Sequence, residues 1–371
     1  MVTTSAPRVA VLFGTRPEII KLAPVVDELG PTAVLIHSRQ HYDPSLSDDF
    51  FTELGLPAPA FSLDGVGGAD RATQIGIMVS SLGALFRDHR FDALVVQGDT
   101  NTVLAGAMAA NITGIPVIHV EAGLRSNDRS MPEEINRRLT AVLADVHCAP
   151  TNWSRANLIA ESVPPHAIHV TGNTVVEVCR RTLAALSETS HPATAGLGPY
   201  IVATVHRPEN TDNADALRRA LSALAQADLP VVFVAHPRTI AAAKRFGMES
   251  LLREIRTIEP LGYESFLLLA RDAALIVSDS GGLQEETTVL QKPLLLVRRN
   301  TERPEALSSG AVRLVQPADS LSASMRDAIK DTSWEQRLTG MGSPFGDGHA
   351  SARIAALATE IANSRRSAGV A

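Results

Sequence analysis

The sequence predicts an α/β protein made of two doubly wound, Rossmann-like domains facing a central cleft. Three observations carry this. Short apolar runs without polar alternation recur along the chain, as strands buried on both faces of a parallel sheet require. Each run is followed by a stretch with helical periodicity, and such β-then-α alternation implies right-handed crossovers with helices on both sheet faces. The alternation occurs as two series of similar extent, which suits a chain of 371 residues.

The first series opens with an apolar strand at 9–13, after which Gly14-Thr15-Arg16-Pro17-Glu18 leads into a helix with Pro17 in its first turn. A second strand is expected at 33–37, then a polar loop through Pro44 and a helix near 46–54. Helical periodicity covers 72–87, followed by a strand at 93–97, a small-residue helix at 102–111 and a strand at 117–120. An amphipathic helix at 132–144 and a strand at 146–149 complete the series. The domain boundary is placed near Gly172, giving domains of 1–172 and 173–349. The second begins with a helix at 174–186 and an exposed Ser/Thr/Pro/Gly-rich connection at 187–199. Strands follow at 201–205, 231–235, 275–278, 294–297 and 312–315, with helices between them. A last helix, about 350–364 within the terminal 350–371, has the option of packing back on the first domain.

Composition narrows the function. A formal charge of −6 offers no global attraction to nucleic acid or anionic membrane, although a local basic cluster can still hold phosphates. Cys148 and Cys179 lack metal-ligand or redox spacing, so a reduced, cytoplasmic setting is expected. The polar N-terminus and the strand-length run after it read as neither a signal peptide nor a membrane span. There is no GxGxxG, GxxxxGK[ST] or HExxH, which argues against a nicotinamide enzyme, a Walker ATPase and a zinc hydrolase. No cofactor and no metal are expected.

The chain is organised around Asp279-Ser280-Gly281-Gly282-Leu283-Gln284-Glu285-Glu286, a Ser/Gly turn between a buried strand and a helix. Unpaired N–H groups at a helix start, with glycines allowing close approach, make a phosphate seat. A carboxylate beyond it suits ribose hydroxyls. An ordinary capped turn fits this stretch equally well. Elsewhere, unusual polar residues fall at the C-terminal ends of predicted strands: Arg16 and Lys21, Asp99, Glu121, His206 with Arg207, and His236. Open α/β sheets bind ligands at those ends, so the common placement favours one interdomain cleft over scattered caps and ion pairs. Glu133, at the start of Pro132-Glu133-Glu134, either compensates the helix dipole or joins Asp99 and Glu121 as an acid/base set at one carbon. Arg16 and Arg303 suit bidentate phosphate contacts.

Read together, Gly14-Thr15-Arg16-Pro17-Glu18, Gln97-Gly98-Asp99-Thr100, His119-Val120-Glu121-Ala122-Gly123-Leu124-Arg125, Pro132-Glu133-Glu134-Ile135-Asn136-Arg137, the 279–286 turn and Thr301-Glu302-Arg303-Pro304-Glu305 resemble the non-hydrolysing UDP-N-acetylglucosamine 2-epimerases. The resemblance runs from Val9 to Phe345-Gly346-Asp347-Gly348. It implies the GT-B fold, a UDP-sugar substrate and cofactor-free interconversion of UDP-GlcNAc and UDP-ManNAc. By motif, Asp99, Glu121 and Glu133 become the acid/base carboxylates and His206 lies at the reacting sugar. Arg16, Lys21 and Arg303 surround the cleft, Ser280, Gly281 and Gly282 hold the phosphates, and Glu286 the ribose. A homodimer is implied, and some members bind a second UDP-GlcNAc as activator near positions matching Gln40 and His236. The chain departs from the commoner pattern at Arg39, Pro208 and Arg299-Asn300, which leaves room for a different sugar. A hydrolysing relative releasing UDP and free ManNAc, a GT-B glycosyltransferase and a non-catalytic nucleotide-sugar binder are the competing readings.

Overall fold

The computed structural model describes residues 6–40, 51, 54–186, 188 and 190–369. These form two compact units, one comprising the chain up to Val178 together with Phe345 onward, the other Cys179–Pro344.

The first unit holds a parallel sheet of β1 (Val9–Phe13), β2 (Ala33–His37), β3 (Phe61–Ser62), β4 (Ala93–Gln97), β5 (Val117–Val120), β6 (Val146–Ala149) and β7 (Ile168–Val170). Their order is β3-β2-β1-β4-β5-β6-β7. All five side chains of β1 are fully buried, because helices cover both faces of this central strand. One layer contains Arg71–Asp88 and the small-residue helix Asn101–Ile112, which pack on each other. On the other, the C-terminal helix Ala350–Ser367 lies against Arg16–Leu29 and buries Ile354, Ala355, Ala358 and Ala362.

The second unit repeats the plan with β8 (Ile201–Thr204), β9 (Val231–Val234), β10 (Arg256–Ile258), β11 (Leu275–Ser278), β12 (Leu294–Val297) and β13 (Val312–Val315), in the order β10-β9-β8-β11-β12-β13. Both sheets are parallel throughout. In each, the strand order reverses beside the first strand, between β1 and β4 and between β8 and β11. Loops diverge at such a switch point and leave a crevice at the C-terminal strand ends.

The α/β class and the two doubly wound sheets agree with the sequence reading. The reading lacked β3, β7 and β10, which are short edge strands with partly exposed residues. An edge strand packs against fewer neighbours, so it has no need of the apolar run that marks a central one. The helix expected near 46–54 falls largely outside the described residues. Among the described residues, no helix is long and apolar enough to cross a membrane.

Candidate active site

At the switch point of the first unit the turn after β1 is drawn tightly into the fold. A Cβ on Gly14 would fall well inside contact distance of Thr102 Oγ1 and Ser38 Oγ, so only glycine fits. Thr15 starts the helix Arg16–Leu29 without a side-chain cap. Its hydroxyl instead donates to Glu18 Oε2 at 2.8 Å, and the Gly14 N–H donates to the same oxygen at 3.0 Å. The Thr100 hydroxyl donates to Glu18 Oε1 at 2.8 Å from beyond β4. Glu18 is only 3% exposed, and burial pushes its carboxyl up to about 7 despite these donors.

That shift has a measurable consequence. The folded chain binds the Glu18 proton more tightly than the unfolded chain, whose ordinary value is 4.5. The resulting stability is fully present below about pH 4.5, falls as pH rises and is gone above about 7. Over that span the difference is about 2–3 kcal/mol. Urea unfolding at pH 5 and pH 8 is expected to show wild type losing about this much relative to Glu18→Gln as pH rises. Parallel pH dependences would show that Glu18 does not titrate in this range.

Glu121 sits directly after β5 with a positive φ of 66°, an uncommon backbone state for a residue with a side chain. Its Oε2 receives the Lys21 ammonium at 2.8 Å and the Gln97 amide. Lys21 comes from the helix Arg16–Leu29 and Gln97 from the end of β4, so three elements meet on one buried carboxylate. His119, also buried, donates through Nε2 to the Gly98 carbonyl at 2.8 Å. Burial lowers its pKa to about 3 and keeps it neutral.

Asp99 follows Gly98, is about one-third exposed at its side chain and pairs with Arg137 at 2.5 Å. The helix Pro132–Leu143 supplies this arginine, and Asn136 of the same helix donates to the Asp99 carbonyl at 2.9 Å. Behind Arg137 lies Glu134, 0% exposed, bonded to Arg137 at 2.8 Å and to the Ser126 N–H at 3.0 Å. Burial opposes its ionisation, but Ser126 and Arg137 outweigh burial and hold Glu134 below the usual carboxylate range. Glu133 lies beside it in the first turn, partly exposed. Arg16 is likewise partly exposed at the start of its helix. Gln40 is buried in this unit, its Oε1 accepting the Thr102 N–H at 2.8 Å and hydroxyl at 2.9 Å.

The second unit builds its crevice around Asp279, which is 0% exposed just after β11. It accepts the backbone N–H of His206 at 2.9 Å, that of Arg207 at 2.8 Å and the Asn210 amide at 2.9 Å, and lies 3.1 Å from His206 Nδ1. Burial works against its charge, but His206, Asn210 and Arg207 together keep it below the usual carboxylate range. The loops after β8 and β11 are thereby locked together. The His206 ring lies 5.3 Å from that of His236. His236 caps Pro237–Arg245 by accepting the Arg238 N–H at 3.1 Å, and burial, then His206, lowers its pKa.

Gly281 lies among charged groups: a Cβ there would stand 3.0 Å from Glu302 Oε1 and 3.3 Å from both Arg207 Nη2 and Arg303 Nη1. The glycine leaves that space open beside two guanidinium groups, next to Ser280 and to Gly282, which begins the helix Leu283–Leu290. Arg303 itself is buried, contacting Glu302 and lying 3.3 Å from Glu285. Glu286 is partly exposed on the same helix, near Tyr263, whose phenol is pushed up by burial and by the Glu286 charge.

The structure thus brings Lys21 to Glu121 in one unit and His206 into the Asp279 cradle beside His236 in the other. Glu18, Gln97, Glu134, Arg137 and Asp279 belong to these networks and appeared in the sequence reading only as parts of longer motifs, whereas Arg207 was noted there beside His206. Glu134 had a local signal, since Arg137 and Arg138 stand three and four residues on, the spacing of helix ion pairs. Among the described residues, no group of three or more His, Cys, Asp or Glu side chains is arranged to hold a metal ion.

Comparison with known proteins fits this picture. The profile of the UDP-N-acetylglucosamine 2-epimerase family matches residues 28–359. A UDP-N-acetylglucosamine 2-epimerase of Methanocaldococcus jannaschii is 38% identical over 95% of this chain and 99% of its own. A UDP-2,3-diacetamido-2,3-dideoxy-D-glucuronate 2-epimerase of Pseudomonas aeruginosa is 33% identical over 94% and 98%. The crystal structure of the M. jannaschii UDP-GlcNAc 2-epimerase in complex with UDP-GlcNAc and UDP superposes with a TM-score of 0.84 at 37% identity, covering 95% of this chain and 99% of that one.

Proposed function

The chain belongs to the UDP-N-acetylglucosamine 2-epimerase family, and from that premise we propose that it inverts C2 of UDP-GlcNAc by eliminating and re-adding UDP. The observation that carries the reading is Glu121, a buried carboxylate held on a positive-φ backbone by Lys21 and Gln97. A buried carboxylate fixed before substrate binds supports a role in proton transfer, which is most efficient from a preorganised group.

The C2 hydrogen of the sugar is weakly acidic, so its removal is coupled to leaving-group departure. A carboxylate of the set Asp99, Glu121 and Glu133 takes the C2 proton. The C–H electron pair becomes the C1=C2 double bond, and the C1–O bond breaks with its pair leaving on the UDP β-phosphate. The 2-acetamidoglucal stays bound, UDP re-adds at C1, and a second carboxylate returns a proton to the opposite face of C2. The sequence is redox-neutral and consumes no co-reactant. In this reading Ser280, Gly281, Gly282, Arg16 and Arg303 hold the diphosphate, Glu286 the ribose, and His206 the junction of sugar and phosphate. Arg207 near Gly281 adds a further guanidinium to the diphosphate seat.

The test is isotopic. Incubation with UDP-GlcNAc in D2O is expected to place deuterium at C2 of UDP-ManNAc, without added nicotinamide and with an unchanged rate in EDTA. Protium retained at C2 would exclude the elimination route. Deuterated free ManNAc with UDP released would identify a hydrolysing enzyme.

A homodimer is part of the same reading. Ile112, Leu139 and Val142 are 70%, 46% and 83% exposed on two helices, Asn101–Ile112 and Pro132–Leu143, that pack together, and exposed apolar side chains on neighbouring helices support this reading. Sedimentation is expected to give a species of about twice the chain mass; a single species at 39.4 kDa would remove the dimer.

A further inference from the structure

The helix Arg16–Leu29 fastens the first unit's strand-end loops through two side chains three residues apart. Glu18 reaches Thr100 beyond β4, and Lys21 reaches Glu121 beyond β5. Residues at that spacing share a helix face, so one face of the first turns sets the position of both loops. Glu18 also holds the Gly14 N–H and the Thr15 hydroxyl of the turn after β1. Thr100 in turn caps Asn101–Ile112 by accepting the Val103 N–H at 3.4 Å, and it directly follows Asp99. Every polar contact of Glu18 therefore either fixes the turn that carries Arg16 or crosses the switch point to the loop that carries Asp99. Among the described residues no cation pairs with Glu18. Its three donors are an N–H and two hydroxyls, as in a device for aligning backbone.

We propose that Glu18 is a positioning residue for the C2 proton transfers: it registers the β1 turn against the β4 loop and so sets Arg16, Lys21 and Asp99 relative to one another. The inference rests on the epimerase reading for its kinetic consequence and on geometry alone for the coupling of the loops. Glu18 touches no reacting atom. Its loss displaces groups that do, and displacement by about 1 Å costs up to about 10²-fold in rate.

The test uses the full-length enzyme. Glu18→Ala is expected to lower kcat for UDP-GlcNAc epimerisation about 10²-fold while UDP affinity falls by no more than about tenfold, since Arg16 is the one member of the diphosphate seat that Glu18 positions. Glu18→Gln can still accept from Gly14 and Thr15 while its amide faces a reoriented Thr100 hydroxyl, and is expected to recover most of kcat. Thr100→Val removes the link across the switch point and is expected to lower kcat, whereas Thr100→Ser is expected to preserve it. Hydrogen exchange measured by mass spectrometry is expected to rise in Glu18→Ala at both 12–20 and 97–104. A folded Glu18→Ala with near-wild-type kcat, or faster exchange confined to 12–20, would overturn the proposal. Should Glu18→Ala fail to fold, the Thr100→Val and Thr100→Ser pair decides it. A wild-type enzyme inert toward UDP-GlcNAc would overturn the epimerase reading instead, and the exchange pattern would still decide the coupling.

Discussion

Glu121→Gln is expected to slow epimerisation by about 10²–10⁴-fold, the usual scale for losing a general acid or base. The substitution keeps the size of the side chain and removes its capacity to take a proton. The amide oxygen can still face Lys21 and Gln97, whose contacts converge on one oxygen of the native carboxylate. The backbone at Glu121 already holds its positive φ, so the variant inherits the same local frame. UDP affinity is expected to stay within about threefold, a change of about 0.7 kcal/mol, because Glu121 is not among the residues assigned to the diphosphate or the ribose. Asp99→Asn is expected to fall in the same range, with Arg137 losing one ionised partner and keeping Glu134. Both variants are read by kcat and by C2 deuterium incorporation alongside UDP titration. Near-wild-type turnover in Glu121→Gln would reduce the Lys21–Glu121 pair to a structural ion pair.

The largest effect on stability is expected from Asp279→Ala. The native carboxylate satisfies two backbone N–H groups and the Asn210 amide inside the second unit, and it stands against the His206 ring. Deleting it strands those donors, at about 1–3 kcal/mol each where no water replaces the carboxylate. A net loss of about 3–5 kcal/mol is expected, comparable to removing one partner of a buried ion pair. UDP binding is expected to weaken with it, because the loop carrying His206 and Arg207 loses its attachment to the Ser280–Gly282 turn. Asp279→Asn should be milder, keeping one acceptor oxygen. Urea unfolding and UDP calorimetry measure the two effects. An unchanged unfolding midpoint in Asp279→Ala would mean that water or a neighbouring group satisfies the loop. The lowered pKa fixes the pH dependence as well: the contribution of Asp279 is present at neutral pH and is lost as pH falls through and below the ordinary carboxylate range.

The central strands were legible because a strand covered on both faces is apolar nearly throughout, as β1 and β12 are at every position and β4, β5 and β11 are except at Gln97, His119 and Ser278. The glycine of the β1 turn has a related cause, since close approach of Thr102 and Ser38 excludes a side chain at Gly14. The ordered motifs were enough to recognise the family. Edge strands β3, β7 and β10 escaped notice because partial exposure relaxes the pattern that reveals a strand.

What the sequence determined by itself was therefore the α/β class, the paired doubly wound sheets, the family and the residue types at the strand ends. Tertiary structure alone decided which of those residues hold one another. Glu133 and Glu134 are equivalent as letters, and helix phase buries Glu134 while leaving its neighbour partly exposed. Glu18 meets Thr100 only because β1 lies beside β4, and Asp279 meets His206 only because β8 lies beside β11. Adjacency in these sheets joins segments far apart in sequence, whereas hydrophobic periodicity is a local property. A local pattern can say where a strand ends, but the partner waiting there is set by the order in which the strands assemble.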